Sequence, residues 1–347
     1  MENRIQILDC TLRDGGLGLE DASKNKISDK RFSSEDITAI SDCLSRSNID
    51  IVEIGSIEIS EDDKRGFAIY QNIEKLSEAI PDNRSESQMY VGLYRGPDTP
   101  VDAIPQRRET MVDGARVIIR YSELQKSLDF CASLSKKGYK VFVQPMLTMR
   151  YTEEELDLII REANEMGAYA LYFVDSYGYM KNSDVVRFLK KYDEALDPSV
   201  RIGFHAHNNM NLAFSNALCA VDYPTERKLI LDSCALGMGQ GAGNLQTEII
   251  ASHMNEFNGS GYDMNSVLDM CEIIEPYNGD NLWGYSVTRL IPALHKTAYK
   301  YAVALRKHYG LKLSEINNIL SAVPEDLRHR YTPENTEQLL RSNGYIK

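Results

Sequence analysis

The stretch Ile5-Gln-Ile-Leu-Asp-Cys-Thr-Leu-Arg-Asp-Gly-Gly16, near the start of the chain, decides between two α/β folds. Its first five residues are mostly apolar, as expected of a parallel strand that is covered on both faces. A doubly wound sheet would continue with a Gly-x-Gly-x-x-Gly turn, and residues 10–16 do not have that spacing. The alternative is a (β/α)8 barrel, in which functional residues follow the strands.

Seven further β-rich runs follow the first along the chain. They cover residues 49–54, 89–94, 115–119, 140–144, 170–174, 200–204 and 229–232. Helical segments lie between them; one begins with Ser33 or Ser34 as its cap, and Thr152-Glu-Glu-Glu155 is a capping box. Eight strand–helix units in about 255 residues predict a (β/α)8 TIM barrel.

The rhythm of strands and helices stops near residue 257. The stretch Asn258-Gly-Ser-Gly-Tyr262 has the composition of a linker. The remainder predicts helices only, at about 264–274, 287–309, 314–321 and 333–342. We therefore predict a catalytic barrel at residues 1–257 and a helical C-terminal extension at residues 258–347.

Composition excludes several classes of function. The 347 residues include 51 acidic and 39 basic side chains, a net charge of −12, which argues against nucleic acid as a partner. No run of 18 apolar residues is present, so no membrane span is expected. The six cysteines are scattered without a Cys-x-x-Cys pair, which indicates reduced thiols and a cytoplasmic location.

Polar and ionisable residues are concentrated where the predicted strands end, which is where barrel enzymes place their active sites. His205 and His207 follow the seventh strand and, two residues apart, project to the same side. They could bind one ion together, although a hydrogen-bonded pair is the commoner meaning of such a short motif. Asp14 would supply an anionic third ligand, or else it is a turn residue in Asp-Gly-Gly.

The same reasoning leaves two meanings for each of two further residues. Arg13 could stabilise an enolate oxygen in the transition state or form an ion pair with Glu53 or Asp175, and the two roles are compatible. Asn244, in the glycine-rich loop after the eighth strand, is either a helix cap or an additional oxygen ligand. Because no thiolate is among the proposed ligands, Mn²⁺ or Mg²⁺ is favoured, with Zn²⁺ and Co²⁺ as alternatives.

Three motifs together resemble the DRE-TIM metallolyase superfamily, an HMG-CoA lyase-like group. They are Asp9-Cys-Thr-Leu-Arg-Asp-Gly15, His205-Ala-His-Asn-Asn209 and Gly237-Met-Gly-Gln-Gly-Ala-Gly-Asn244, which lie in the family's order within residues 4–256. The resemblance implies that Asp14, His205 and His207 bind the metal, with Asn244 as a further ligand. It also implies that Arg13 polarises the substrate oxygen and that Glu53 and Asp175 occupy the family's acidic positions.

The glycine-rich loop is most similar to that of the 4-hydroxy-2-oxovalerate aldolase branch. That branch places a general-base histidine three residues after the metal aspartate, where this chain has Leu17. A leucine cannot move a proton, so another group must replace the base or the reaction must differ. Tyr285, His295, Glu20 and Asp21 are the candidate replacements, and a surface position is the alternative for each. His308 and His329 are expected at the surface.

The sequence thus predicts a divalent-metal-dependent aldolase that interconverts a 2-oxo acid such as pyruvate, an aldehyde and their aldol product. A Claisen-type acyltransferase that condenses an acyl-CoA with a 2-oxo acid is the second hypothesis. The third is a barrel that has lost its base and binds a metabolite. The resemblance also makes a homodimer and an aldehyde dehydrogenase partner plausible expectations.

Overall fold

The computed structural model describes residues 4–346, and its centre is a closed barrel of eight parallel strands. The strands are β1 (Ile5–Asp9), β2 (Ile51–Ile57), β3 (Met89–Tyr94), β4 (Gly114–Ile119), β5 (Lys140–Pro145), β6 (Ala170–Asp175), β7 (Arg201–Ala206) and β8 (Leu229–Ser233). They pair in chain order, and β1 closes the ring by pairing with both β2 and β8. The predicted TIM barrel is confirmed, and each predicted run overlaps one of the eight strands.

Eight helices accompany the barrel strands. They are α1 (Thr11–Lys24), α2 (Ser34–Arg46), α3 (Ile73–Ser77), α4 (Leu124–Lys136), α5 (Glu153–Glu165), α6 (Asn182–Ala195), α7 (Ala213–Val221) and α8 (Thr247–Asn258). Both predicted N-termini are confirmed. Ser33 caps α2 in a reciprocal box with Asp36, and Thr152 does the same for α5 with Glu155. A two-residue strand, Ile69–Tyr70, pairs with β2 and was not predicted.

Helix α1 begins directly after β1 and contains the Asp-Gly-Gly stretch that composition indicates as a turn. Asp14 therefore lies in the first helical turn, and the turn interpretation is wrong. The glycines serve close packing: a Cβ on Gly16 would lie 1.9 Å from the backbone oxygen of Phe67, and one on Gly15 would lie 2.5 Å from Sδ of Met238. Neighbouring loops, rather than local turn preference, account for both glycines.

Six helices follow the barrel: α9 (Met264–Ile274), α10 (Val287–Leu294), α11 (Tyr299–Lys307), α12 (Leu313–Ser321), α13 (Glu325–Arg328) and α14 (Pro333–Ser342). The predicted single helix at 287–309 is wrong, because Lys296 adopts a left-handed conformation with φ of 54° and separates α10 from α11. Among residues 4–346, no helix combines the length and the apolar character needed to cross a membrane.

The apolar interior forms two clusters. The larger one fills the barrel, extends under α9 and includes Trp283. The smaller one runs from Ile291 to Leu340 and lies among α10 to α14. The division into domains at residue 257 stays a prediction.

Candidate metal centre and active site

Two segments that are far apart in the sequence bring Asp14, His205 and His207 together. Asp14 lies on α1, His205 on β7 and His207 just beyond β7. One ligand atom from each of the three lies within 4.8 Å of the other two, and the two imidazole centroids are 5.1 Å apart. A carboxylate and two imidazoles at this separation can surround one divalent cation.

Burial and neighbouring groups shift the pKa of all three side chains. Burial opposes ionisation of the Asp14 carboxyl, but Arg13 and the two histidines outweigh burial and lower its pKa to about 2. Burial lowers the pKa of His207 to about 4, which leaves a neutral ring with a lone pair to donate. Burial also opposes charge on His205, yet its hydrogen bond to Asp232 outweighs burial and raises its pKa to about 9.

Asn244 provides independent support for a cation at this point. Its Nδ2 donates to Asp14 and, at 2.9 Å, to the backbone oxygen of Met238. Its Oδ1 is buried and has no hydrogen-bond partner among the described residues, which is costly for a carbonyl oxygen unless a cation binds it. The helix-cap alternative is wrong, since Gln246 is the residue that precedes α8. The residues present therefore fit a divalent ion.

A continuous chain of buried charges connects Arg13, which is next to Asp14, with His205. Glu53 accepts from Nε of Arg13 at 2.7 Å and from Nη1 of Arg116 at 2.8 Å. Arg116 also bonds to Asp232, whose carboxylate bonds to Nδ1 of His205 at 2.9 Å. A carboxylate on the far nitrogen of a ligating histidine fixes the ring and leaves Nε2 for a metal. The predicted Arg13–Glu53 ion pair is thus present, and it extends as far as His205.

Sequence reasoning missed Arg116 and Asp232. A detectable signal was present, because Arg116 interrupts an otherwise apolar strand at a position where burial is expected. A buried guanidinium requires carboxylate partners, and a search for acidic residues inside other strands would have found Asp232.

Asp175 and Tyr285 do not join the centre. The Asp175 carboxylate accepts from the backbone N–H groups of Tyr179 at 2.9 Å and Met180 at 3.0 Å, so it organises the loop after β6. Arg13 pairs with Asp14 and Glu53 rather than with Asp175. Tyr285 is 53% exposed and does not line the cavity described below.

The other candidate bases are also occupied elsewhere. Glu20 forms ion pairs with Lys24, Lys64 and Arg95. Asp21 accepts from Tyr299, and His295 bonds through Nε2 to Asn317 at 2.9 Å. None of the three carries a side chain into the cavity that contains the metal-ligand set, which is the group of candidate ligands Asp14, His205 and His207.

A cavity of about 430 Å³ lies over the metal-ligand set at the carboxyl ends of the strands. Arg13, Asp14, Leu17, His205 and His207 form its floor, together with residues from the neighbouring strands. The C-terminal helices and the segments next to them cover it with Ala298, Tyr299, Lys300, His329, Arg330 and Tyr331. The expectation that His329 lies at the surface is therefore wrong, and these covering residues were not identifiable before the helices were placed.

The HMGL-like family model matches residues 4–278. A relative named 4-hydroxy-2-oxovalerate aldolase, from Geobacillus genomosp. 3, is 26% identical over 276 residues, which are 78% of this chain and 77% of the relative. Among solved structures, hydroxymethylglutaryl-CoA lyase from Pseudomonas aeruginosa has a TM-score of 0.63 at 16% identity, over 79% of this chain and 93% of that one.

A second solved structure is the carboxyl transferase domain of Rhizobium etli pyruvate carboxylase with pyruvate. Its TM-score is 0.70 at 15% identity, over 99% of this chain and 61% of that one. At such identities the two structures show a shared fold.

Proposed function

This chain belongs to the HMGL-like family and is an enzyme, a carbon–carbon lyase, and on that premise we propose that it is a divalent-metal-dependent aldolase. The proposed reaction cleaves a 4-hydroxy-2-oxo acid into pyruvate, or a related 2-oxo acid, and an aldehyde, or runs in reverse. The observation that carries the proposal is the convergence of Asp14, His205 and His207 beneath a cavity that Arg13 also lines.

Asp14, His205, His207 and Asn244 are the residues that would hold the metal. The absence of thiolates among them favours Mn²⁺ or Mg²⁺, with Zn²⁺ and Co²⁺ as alternatives. When bound, such an ion supplies Lewis-acid polarisation of a 2-oxo acid.

Arg13 is placed to stabilise negative charge on the substrate. Its Nε is fixed by Glu53 and its Nη1 by Asp14 at 2.6 Å, so the plane of the guanidinium is set. Its Nη2 has no hydrogen-bond partner among the described residues, and the side chain lines the cavity. This remaining donor would form a hydrogen bond to the oxygen that becomes an enolate as the carbon–carbon bond breaks. Such a donor contributes about 10²–10³ in rate.

Cleavage also needs a group that takes the proton of the 4-hydroxyl, and Leu17 cannot do so. Among the cavity residues, His329 is suited to this role because burial and the nearby Arg150 lower its pKa and keep the ring neutral. Glu325 and Arg328 are the other charged groups that act on it, and Tyr177 stacks on its ring. Tyr299 is less suited, since burial raises the pKa of its hydroxyl well above the usual value.

Deuterium exchange into the methyl group of pyruvate, followed by NMR in D₂O with Mn²⁺, tests the enolate step directly. We expect exchange with the native protein and none with His207→Ala, whose metal content should also fall when measured by mass spectrometry. A His207→Ala protein that retains stoichiometric Mn²⁺ would show that the ligand set is wrong. Absence of exchange with several 2-oxo acids would reject the aldolase proposal.

The acyltransferase hypothesis predicts a different result. Release of free thiol from acetyl-CoA in the presence of a 2-oxo acid would favour it over aldol cleavage. A homodimer, an aldehyde dehydrogenase partner and a cytoplasmic location stay predictions.

A further inference from the structure

Two thiols lie next to the residues that we assign to the metal. The Sγ atoms of Cys10 and Cys234 are 3.2 Å apart, and both side chains are fully buried. All six cysteines of the chain are free thiols. Neither Cys10 nor Cys234 has a role in the aldolase reaction proposed above.

The backbone places these two cysteines side by side. Asp9 of β1 and Ser233 of β8 are paired in register, so the next residues, Cys10 and Cys234, are neighbours as well. The backbone N–H of Cys10 continues the ladder by donating to the oxygen of Ser233 at 2.8 Å. Neighbouring strands are about 4.8 Å apart, which is within the Cα separation that disulfides span. The sulfurs need only approach from 3.2 Å to about 2.05 Å.

Both thiols contact residues that we assign to the metal. Nδ2 of Asn244 donates to Sγ of Cys234 at 3.4 Å. Sγ of Cys10 lies within 4.8 Å of a ring nitrogen of His205 and interacts with that ring. A movement of the Cys234 sulfur therefore changes the surroundings of Asn244, and a movement of the Cys10 sulfur changes those of His205.

We propose that Cys10 and Cys234 are an oxidation site at which a hydroperoxide forms an intramolecular disulfide, and that this disulfide weakens binding of the divalent cation. One thiol attacks the peroxide oxygen, which gives a sulfenic acid and releases water (or an alcohol). The second thiol attacks the sulfenic sulfur, the disulfide forms and a second molecule, water, leaves. Two electrons and two protons thus pass from the thiols to the peroxide. The effect on the metal rests on the proposed function, whereas disulfide formation does not.

Treatment of the full-length protein with hydrogen peroxide tests the first half. We expect the intact mass to decrease by two hydrogens, and a tryptic map to join the peptides that contain Cys10 and Cys234. Cys219→Ser is the matched control, because Cys219 is the one cysteine that is not buried, and this variant should still form the disulfide. Cys234→Ser should not form it. A different pairing, or sulfinic acid without a disulfide, would overturn the proposal.

Titration with Mn²⁺, followed by the EPR signal of the free ion, tests the second half. The oxidised protein should bind Mn²⁺ about tenfold more weakly than the reduced protein, the lower range for disturbed contacts around a metal ligand. A reductant should restore binding. Equal affinity of the two forms would refute the link to the metal. If even the reduced protein fails to bind Mn²⁺, the proposed function and the metal effect are both rejected, and the mass measurement alone decides whether the oxidation site exists.

Discussion

Replacement of Glu53 by Gln tests whether the buried charge chain orients Arg13. One oxygen of Glu53 accepts from both Arg13, at 2.7 Å, and Arg116, at 2.8 Å, and the carboxylate is completely buried. Glu53→Gln keeps the size but removes the negative charge between two guanidiniums. The loss of one partner from a buried ion pair costs about 3–5 kcal/mol, and we expect the lower end because Asp14 and Asp232 still neutralise the arginines.

The same change should reduce kcat more than it weakens binding of the substrate. Arg13 loses the contact that fixes its Nε, so we expect kcat to fall by about 10²–10³, the range for a lost transition-state donor. Because Glu53 is not a metal ligand, bound Mn²⁺ should be retained. Urea unfolding measures the stability change, steady-state cleavage of a 4-hydroxy-2-oxo acid measures kcat and KM, and elemental analysis measures the metal.

Asp113→Asn is the matched control for this experiment. Asp113 precedes β4 at the opposite end of the barrel and also forms ion pairs with two arginines, Arg84 and Arg107. It should lower the free energy of unfolding while kcat stays unchanged. If Glu53→Gln keeps full kcat, or if Asp113→Asn lowers kcat equally, the orientation of Arg13 by Glu53 is refuted.

Three further outcomes are expected. Burial raises the pKa of Asp9 from 3.8 to about 6, so folding favours its protonated form, and the free energy of unfolding should fall by about 3 kcal/mol as pH rises through that interval. Asp9→Asn should flatten this pH dependence when it is measured by urea unfolding, and an unchanged slope would contradict the prediction. Gly16→Ala should destabilise the protein in thermal melts, although alanine favours helices by about 1 kcal/mol, because its Cβ would collide with the backbone of Phe67; a higher Tm would oppose this reasoning. His329→Gln should lower kcat by about 10²–10⁴ and remove the acid limb of the pH profile of kcat, which lies below pH 6.5. The control His253→Gln, on α8 and outside the cavity, should do neither, and equal effects of the two variants would exclude His329 as the base.

The sequence was sufficient for the barrel and for the core of the centre. Parallel strands covered on both faces leave long apolar runs, and each of the eight runs became a strand. His205 and His207 share a side because alternation along a strand is a local property. Asp14 could be grouped with them because the carboxyl ends of all barrel strands lie at one face.

Contacts between distant segments decided the rest. The partners of Arg116, the orphaned oxygen of Asn244 and the approach of Cys10 to Cys234 all depend on how strands and loops are placed in space. The same is true of His329, which reaches the cavity only because the C-terminal helices fold back over the barrel. Local patterns record which face of an element is buried, but they carry no record of which remote side chain lies opposite, because packing selects that partner only when the whole chain is folded.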